Sequence, residues 1–335
     1  MSDFFKYMET ISPAITHISA MCVSGPHTGE KGLFANGRWV FTTGTPQIFA
    51  MLSPELYHFS GPKLITAGSD TFFCETVTDA PELIICGAGH VSMPVIRLGR
   101  MTGFHVTVID DRADFCHNAQ SNGADKVLCR PFEEALDNLT PKKNRYFVVV
   151  THGHEYDIAC LKQILSSDFT YVGMMGSRTR TVKVKEALIS AGISPALADA
   201  VHMPIGLPIK AETPEEIALS IMSEIILEKN SRHPSYSYTK AMLQALKNGH
   251  CALVTILSRK GSSPRSAGTK MVVLADGQCI GTVGGGIAEA RITKLASECI
   301  KNHTTAGYTV DMSGKEAAED GMVCGGHIEV FIEAV

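Results

Sequence analysis

Leu83-Ile84-Ile85-Cys86-Gly87-Ala88-Gly89-His90-Val91-Ser92, followed by Val106-Thr107-Val108-Ile109-Asp110, is the stretch that decides the fold. A short apolar run feeds a glycine-rich turn, a helix-like segment follows, and a second apolar run ends in an acid. That order is the fingerprint of a dinucleotide-binding α/β unit. Gly87 suits the tight turn, and Gly89 lets backbone N–H groups approach a phosphate at a helix start that carries partial positive charge. Asp110 lies 21 residues after Gly89 (110 − 89), near the usual offset of an acid that binds ribose hydroxyls. Ser92 stands where the third glycine belongs. The plainer reading is a loop that serves only the fold, but the strand before it and the acid after it favour nucleotide binding.

Around this stretch, residues 81–230 alternate strand-like and helix-like pieces, as a doubly wound parallel sheet requires. Strands are predicted at Leu83–Cys86, His105–Asp110, Lys126–Cys129, Tyr146–Thr151 and Thr170–Met174, and helices at Glu155–Leu165, Thr179–Ala191 and Pro214–Glu228. The last helix has its proline at the first position after Thr213, with Glu215 and Glu216 in the first turn. Asn230–Ser235 reads as a linker. Residues 235–335 have the texture of an α+β unit: a helix near Tyr238–Lys247, strands at Ala252–Ser258, Lys270–Ala275 and Cys279–Val283, a helix from Ile287 to Lys301, and a closing alternating run His327–Glu333.

Residues 1–80 read as a worn copy of that last unit. Ala35–Gly44 lines up with Ala275–Gly284, Pro26-His27 with Pro264-Arg265, and Lys31 with Lys270. Gly68–Val77 likewise resembles Gly325–Val335, both closing in a strand that carries an acid. The copy lacks the arginine, the glycine triplet and the cysteine of the original.

Composition bounds the function classes. The chain has 335 residues, 44% hydrophobic and 19% charged, with net charge −4. That balance supports buried cores and argues against a nucleic-acid surface or a polybasic membrane patch. The amino terminus lacks the basic region and apolar run of a signal peptide, and no apolar run approaches a membrane span. Ten cysteines occur without a CxxC pair, so a cytoplasmic protein with reduced thiols is expected.

Three loops of the carboxy-terminal unit concentrate chemistry. Gly261–Lys270 carries Arg265 and Lys270, suited to an anionic ligand. Gly284, Gly285 and Gly286 run straight into a helix, which suits an anion on backbone N–H groups. Glu319–His327 holds Cys324 between glycines, accessible to a bulky partner. In the middle unit, His152, His154 and Asp157 are metal ligands by type, and more simply polar groups lining the nucleotide crevice. Gly176-Ser177-Arg178 is a second strand-to-helix turn with room for a phosphate, or else a helix cap with exposed bases.

Taken together, GSSPRSAGTKM, GTVGGG..E and GMVCGG, with ICGAGHVS, VTVIDDR, VTHGHEYD, YVGMMGSR and PIGLPIKAETPEEIALSI, resemble the XdhC/CoxI family of accessory proteins for xanthine dehydrogenase and related molybdenum hydroxylases. The resemblance covers about residues 75–335. It implies a Rossmann-like sheet joined to an α+β XdhC/CoxI-type domain. It also implies binding of molybdenum cofactor (molybdopterin), its sulfuration with a cysteine desulfurase, and its delivery to a hydroxylase, a chaperone role rather than that of a conventional enzyme. Carried over by position, the cofactor-site residues are Arg265, Lys270, Gly284, Gly285, Gly286, Glu289 and Cys324, with Cys324 facing molybdenum. In the middle unit the matching motifs add His90 and Arg112 to Gly87, Gly89, Asp110, Gly176, Ser177 and Arg178, where NAD(P) or another nucleotide is expected. A homodimer is a further expectation. Two departures stand out: Ile287 occupies the place where family members commonly carry a cysteine, and the domain order is permuted. The alternative function is that of an NAD(P)-dependent oxidoreductase acting on a small molecule.

Overall fold

Strands whose two faces are both apolar need cover on both sides, and this requirement organises the whole chain. The computed structural model describes residues 2–335 apart from 13–14, 78–80, 141, 143, 232–237, 262–264 and 312–325. The first segment contains α1 (Ser2–Met8), β1 (His17–Ser24), β2 (Lys31–Ala35), β3 (Arg38–Thr42), α2 (Pro46–Leu56), β4 (Lys63–Ala67) and β5 (Asp70–Val77). The middle segment runs β6 (Glu82–Cys86), α3 (Ser92–Met101), β7 (His105–Asp110), α4 (Ala113–Ser121), β8 (Lys126–Cys129), α5 (Phe132–Asp137) and β9 (Arg145–Val149). It continues through α6 (His154–Leu165), β10 (Tyr171–Met174), α7 (Arg178–Ser190), α8 (Pro195–Asp199) and α9 (Pro214–Ser231). The last segment has α10 (Lys240–Asn248), β11 (Cys251–Gly261), β12 (Lys270–Leu274), β13 (Cys279–Gly281), α11 (Gly286–Asn302), β14 (Thr305–Asp311) and β15 (Gly326–Ala334). Among the described residues no helix is long and apolar enough to cross a membrane.

The middle segment is a unit by itself, with parallel strands in the order β10-β9-β6-β7-β8. Alternate residues of β6 feed two cores. Leu83 and Ile85 pack with residues of α3, α4 and α9, while Ile84 and Cys86 pack with residues of α5, α6, α7 and α8. The expected doubly wound sheet is therefore present, with both faces covered by helices.

The three-part reading of the sequence resolves into two bodies, because residues 1–78 and 234–335 form one compact unit and 79–233 the other. In the first body, two antiparallel sheets have the orders β3-β2-β1-β5-β4 and β13-β12-β11-β15-β14, the same strand for strand. Each has a helix after its third strand, and each long central strand bulges at the same place, between Cys22 and Ser24 or between Ile256 and Ser258. Period-two alternation splits each sheet. Ala20, Cys22, Phe72 and Cys74 face the core under α2, and Val254, Ile256, Val330 and Ile332 face the core with α11. The opposite faces meet each other. Leu33, Val77, Leu253 and Val272 share one cluster with α1 and α10, and Met21, Phe73, Leu257 and Phe331 share another.

Two ion pairs cross this contact. Lys31 on β2 pairs with Glu333 on β15, and Lys270 on β12 pairs with Glu75 on β5. The four side chains are 1–7% exposed. Each lysine also donates to a carbonyl of its own half, Gly29 at 3.2 Å and Gly268 at 3.1 Å. Removing one member of such a pair leaves a buried charge. Lys31→Met should therefore cost about 3–5 kcal/mol, while Lys31→Met with Glu333→Leu should recover most of that loss. Urea unfolding of the variants checks both; equal midpoints for the single and double variants would contradict the account.

Candidate functional site

The carboxyl ends of the parallel strands gather the residues of the nucleotide fingerprint. β6 and β9 lie side by side at the switch point of this sheet, where their connections depart in opposite directions. Gly87, at the end of β6, has φ +109°, and a Cβ there would fall against the Val150 carbonyl after β9. Only glycine fits. Among the described residues Gly89 has nothing within 4 Å of a built Cβ, and His90 is exposed, so this part of the turn has room for a ligand. Ser92 is fully buried and its Oγ donates to the Gly87 carbonyl at 2.6 Å, which ties the turn to the start of α3. The close helix–strand approach that a third glycine would serve falls instead to Gly99, where a Cβ would lie 2.8 Å from Leu83.

Asp110 ends β7 fully buried, and its bonds define the turn. Oδ1 accepts from the Arg112 backbone N–H at 3.0 Å and from Arg112 Nε at 2.8 Å. Oδ2 accepts from the Ala88 N–H at 2.7 Å and from a guanidinium nitrogen of Arg112 at 2.8 Å. Burial alone would raise this carboxyl, but the bonds from Arg112 and Ala88 outweigh it and hold it below its usual range. Both oxygens accept two donors, so Asp110 meets a ribose hydroxyl only when Arg112 releases it. Arg112 is itself stacked on Phe115, 3.7 Å from the ring centre.

Next to this pair, Asp111 Oδ1 lies 3.3 Å from His152 Nε2, and His152 packs against Phe132 and Tyr156. Ligand atoms of Asp110, Asp111 and His152 come within 4.8 Å of one another. The Arg112 guanidinium on Asp110 sets a positive charge where a cation would sit, which disfavours a metal there. Of the ligand types His152, His154 and Asp157, His152 belongs to that group, and the His154 side chain lies outside the described residues. Asp157 is 1% exposed, accepts from Thr151 Oγ1 at 2.5 Å, and pairs with Arg180. His154 is the first residue of α6. Gly176 and Ser177 open α7, where Ser177 Oγ caps by accepting from the Arg180 N–H at 3.3 Å and Arg178 is exposed.

In the carboxy-terminal half, the expectations need two corrections. Lys270 is not a free point charge: Glu75 takes its ammonium at 2.5 and 2.6 Å, and its side chain is 2% exposed. The glycine triplet is not an empty anion cradle either. Glu289 Oε2 accepts from the Val283 N–H at 3.1 Å, the Gly285 N–H at 3.0 Å and Thr282 Oγ1 at 2.5 Å. The Gly284 N–H goes to Thr282 Oγ1 at 3.0 Å. The loop's own carboxylate thus stands where a phosphate was expected, because the first turn of α11 offers donors and Glu289 is in reach. Gly285 and Gly286 are nevertheless exposed, have positive φ, and among the described residues have nothing within 4 Å of a built Cβ. Arg265 is partly buried, on the loop that Lys270 closes. Cys324 lies outside the described residues. Among the described cysteines, Cys129 and Cys279 are exposed and the others buried.

Residues 83–225 match the family model described as the XdhC Rossmann domain, and residues 245–311 match that of the XdhC and CoxI family. The chain belongs to the XdhC/CoxI family. It is 33% identical over 154 residues to a Bacillus subtilis protein named as a probable component of xanthine dehydrogenase, covering 46% of this chain and 44% of that one. It is 25% identical over 152 residues to the uncharacterized protein YqeB of Escherichia coli, covering 45% and 28%. The chain thus aligns with less than half the length of these relatives. A crystal structure of a xanthine dehydrogenase from Bacillus halodurans superposes with TM-score 0.51 at 22% identity, over 68% of this chain and 65% of that one, a likeness of fold.

Sequence reasoning missed Asp111 and Glu75. Asp111 was legible as the second of two adjacent acids, while Glu75 was legible only as an acid in a closing strand. The two glycines of the XdhC Rossmann turn separate fold from binding. Gly87→Ala should cost about 1–3 kcal/mol or more from φ strain and the backbone clash, and Gly89→Ala should stay within about 0.5 kcal/mol of the parent. Denaturant unfolding distinguishes them; a severe loss at Gly89 would show that its turn is closed.

Proposed function

We propose that this XdhC/CoxI protein is an accessory factor in the maturation of a xanthine dehydrogenase-type molybdenum hydroxylase. In this reading it binds molybdenum cofactor on its carboxy-terminal half and a nucleotide at the Gly87–Gly89 turn. The observation that carries the reading is the open face at Gly285 and Gly286, in the half that matches the XdhC and CoxI family model. Exposed glycines with free space above them suit a bulky ligand. Arg265, partly buried on the same loop, supplies positive charge in this reading.

The bound cofactor would supply the hydroxylation chemistry of the enzyme that receives it. Arg265 would hold the pterin phosphate, since a guanidinium suits a phosphate. Cys324 offers a soft thiolate to molybdenum or its sulfur ligand. Ile287 stands in the place of a second cysteine, so one thiol serves. Glu289 holds the loop in shape through its three donors rather than touching a phosphate, because like charges repel. The partners in this reading are the hydroxylase and a cysteine desulfurase, all in the cytoplasm.

Denaturing protein purified from its native host should release molybdenum and oxidised pterin. Nicotinamide dinucleotide released alone would select an NAD(P)-dependent oxidoreductase instead. Cys324→Ser should leave the unfolding midpoint unchanged and lower the yield of active hydroxylase on co-expression. Arg265→Ala should weaken cofactor retention by about tenfold, the scale of a charge-assisted pair. Full hydroxylase yield with both variants would sink the assignment.

A further inference from the structure

The carboxy-terminal half shares a buried face and two buried ion pairs with the amino-terminal half. Among the described residues, backbone bonds that anchor the Arg265 loop have counterparts in the amino-terminal half. Ile256 N–H donates to the Thr269 carbonyl at 2.9 Å and Gly268 N–H to the Ile256 carbonyl at 2.8 Å. Cys22 N–H donates to the Glu30 carbonyl at 2.8 Å and Gly29 N–H to the Cys22 carbonyl at 2.9 Å. Both loops then end in a lysine that bonds the carbonyl of the glycine two residues before it, and both lysines are claimed by a glutamate of the other half.

The halves differ in what these loops carry. The amino-terminal loop carries no arginine, and its His27 Nδ1 is bound to buried Asp70 at 2.8 Å. The start of α2, the counterpart of the glycine triplet, is occupied from within: Thr45 N–H donates to Glu30 Oε2 at 3.0 Å, and the Glu30 carboxylate fills the space beside Gly44. The amino-terminal half thus keeps the architecture and the crossing ion pair while its own loop is closed. Among its contacts with the other half is Glu75, which holds Lys270 with both oxygens and stands next to Gly268 together with Pro62. A buried ion pair contributes little net stability, so its use here is to fix register.

We propose that the amino-terminal half serves as a built-in partner of the cofactor half, and that Glu75 is the residue through which it positions the loop bearing Arg265. The functional consequence rests on the cofactor reading above; the positioning itself does not. Glu75→Gln and Glu333→Gln each neutralise one acid of a matched pair, in the full-length chain. Both should lower the urea midpoint to a similar extent. Only Glu75→Gln should loosen the Arg265 loop, raising the rate at which phenylglyoxal modifies Arg265 by about tenfold, as read by peptide mass spectrometry, with Glu333→Gln near the parent rate. Glu75→Asp, which keeps the charge, should return most of the protection. Molybdenum cofactor released from a heat-treated hydroxylase should then be retained about tenfold less by Glu75→Gln than by Glu333→Gln at a temperature where both are folded. Equal Arg265 reactivity in the two variants overturns the proposal whatever the cofactor does. A parent protein that retains no cofactor, with the reactivity difference intact, overturns the cofactor reading and leaves the positioning role standing.

Discussion

Two buried lysine–glutamate pairs, Lys31 with Glu333 and Lys270 with Glu75, tie together residues 302 and 195 positions apart. Closing such long loops has an entropic cost that grows slowly with length, so the separation itself is tolerable. Burial of four charges is not, unless each finds its partner. Burial holds the Glu75 carboxyl above its usual range, and the Lys270 ammonium offsets this only in part. A sheet that carries one lysine and one glutamate on a face otherwise made of Leu33, Phe73 and Val77 cannot leave that face wet, nor bury it against a plain apolar surface. It needs a partner with the complementary pair. The other half of the same chain has one, and this constraint makes the two ends of the sequence a single body.

Much of that architecture was legible from spacing. His105–Asp110 and Lys126–Cys129 emerge with the boundaries read from the sequence, because short β-branched runs between turn residues have few other solutions. The likeness of Ala35–Gly44 to Ala275–Gly284 was visible too, since hairpin turns demand glycine at fixed places. What stayed hidden was helical or peripheral. α2 contains Pro46 and Pro54, which mask its period, and β14 is an edge strand of mixed polarity. The ion pairs that join the terminal segments stayed hidden for a deeper reason: a lysine in a serine-rich loop looks solvent-exposed until its distant acid is known.

The site was legible in the same uneven way. Gly87 was readable because only a glycine tolerates its φ and its neighbour carbonyl. Asp110 was placed correctly at the end of β7, but its engagement with Arg112 depends on side-chain geometry two residues away, which a motif does not encode. Ser92 looked like a defect in the motif and is instead a hydrogen-bond donor to the turn. Glu289 was carried over as a cofactor contact, and its three donors make it part of the loop's skeleton.

The contrast between Glu30 and Glu289 explains why chemistry would persist in one half and vanish from the other. Both halves place a helix start behind a hairpin, and both quench its exposed N–H groups with a carboxylate. In the amino-terminal half the acid comes from the loop before β2 and fills the space over Gly44. In the carboxy-terminal half it comes from the helix itself, so the donors meet the helix's own acid and no described atom lies within 4 Å of a Cβ built on Gly285 or Gly286. The same electrostatic need, met from two directions, closes one loop and leaves the other open.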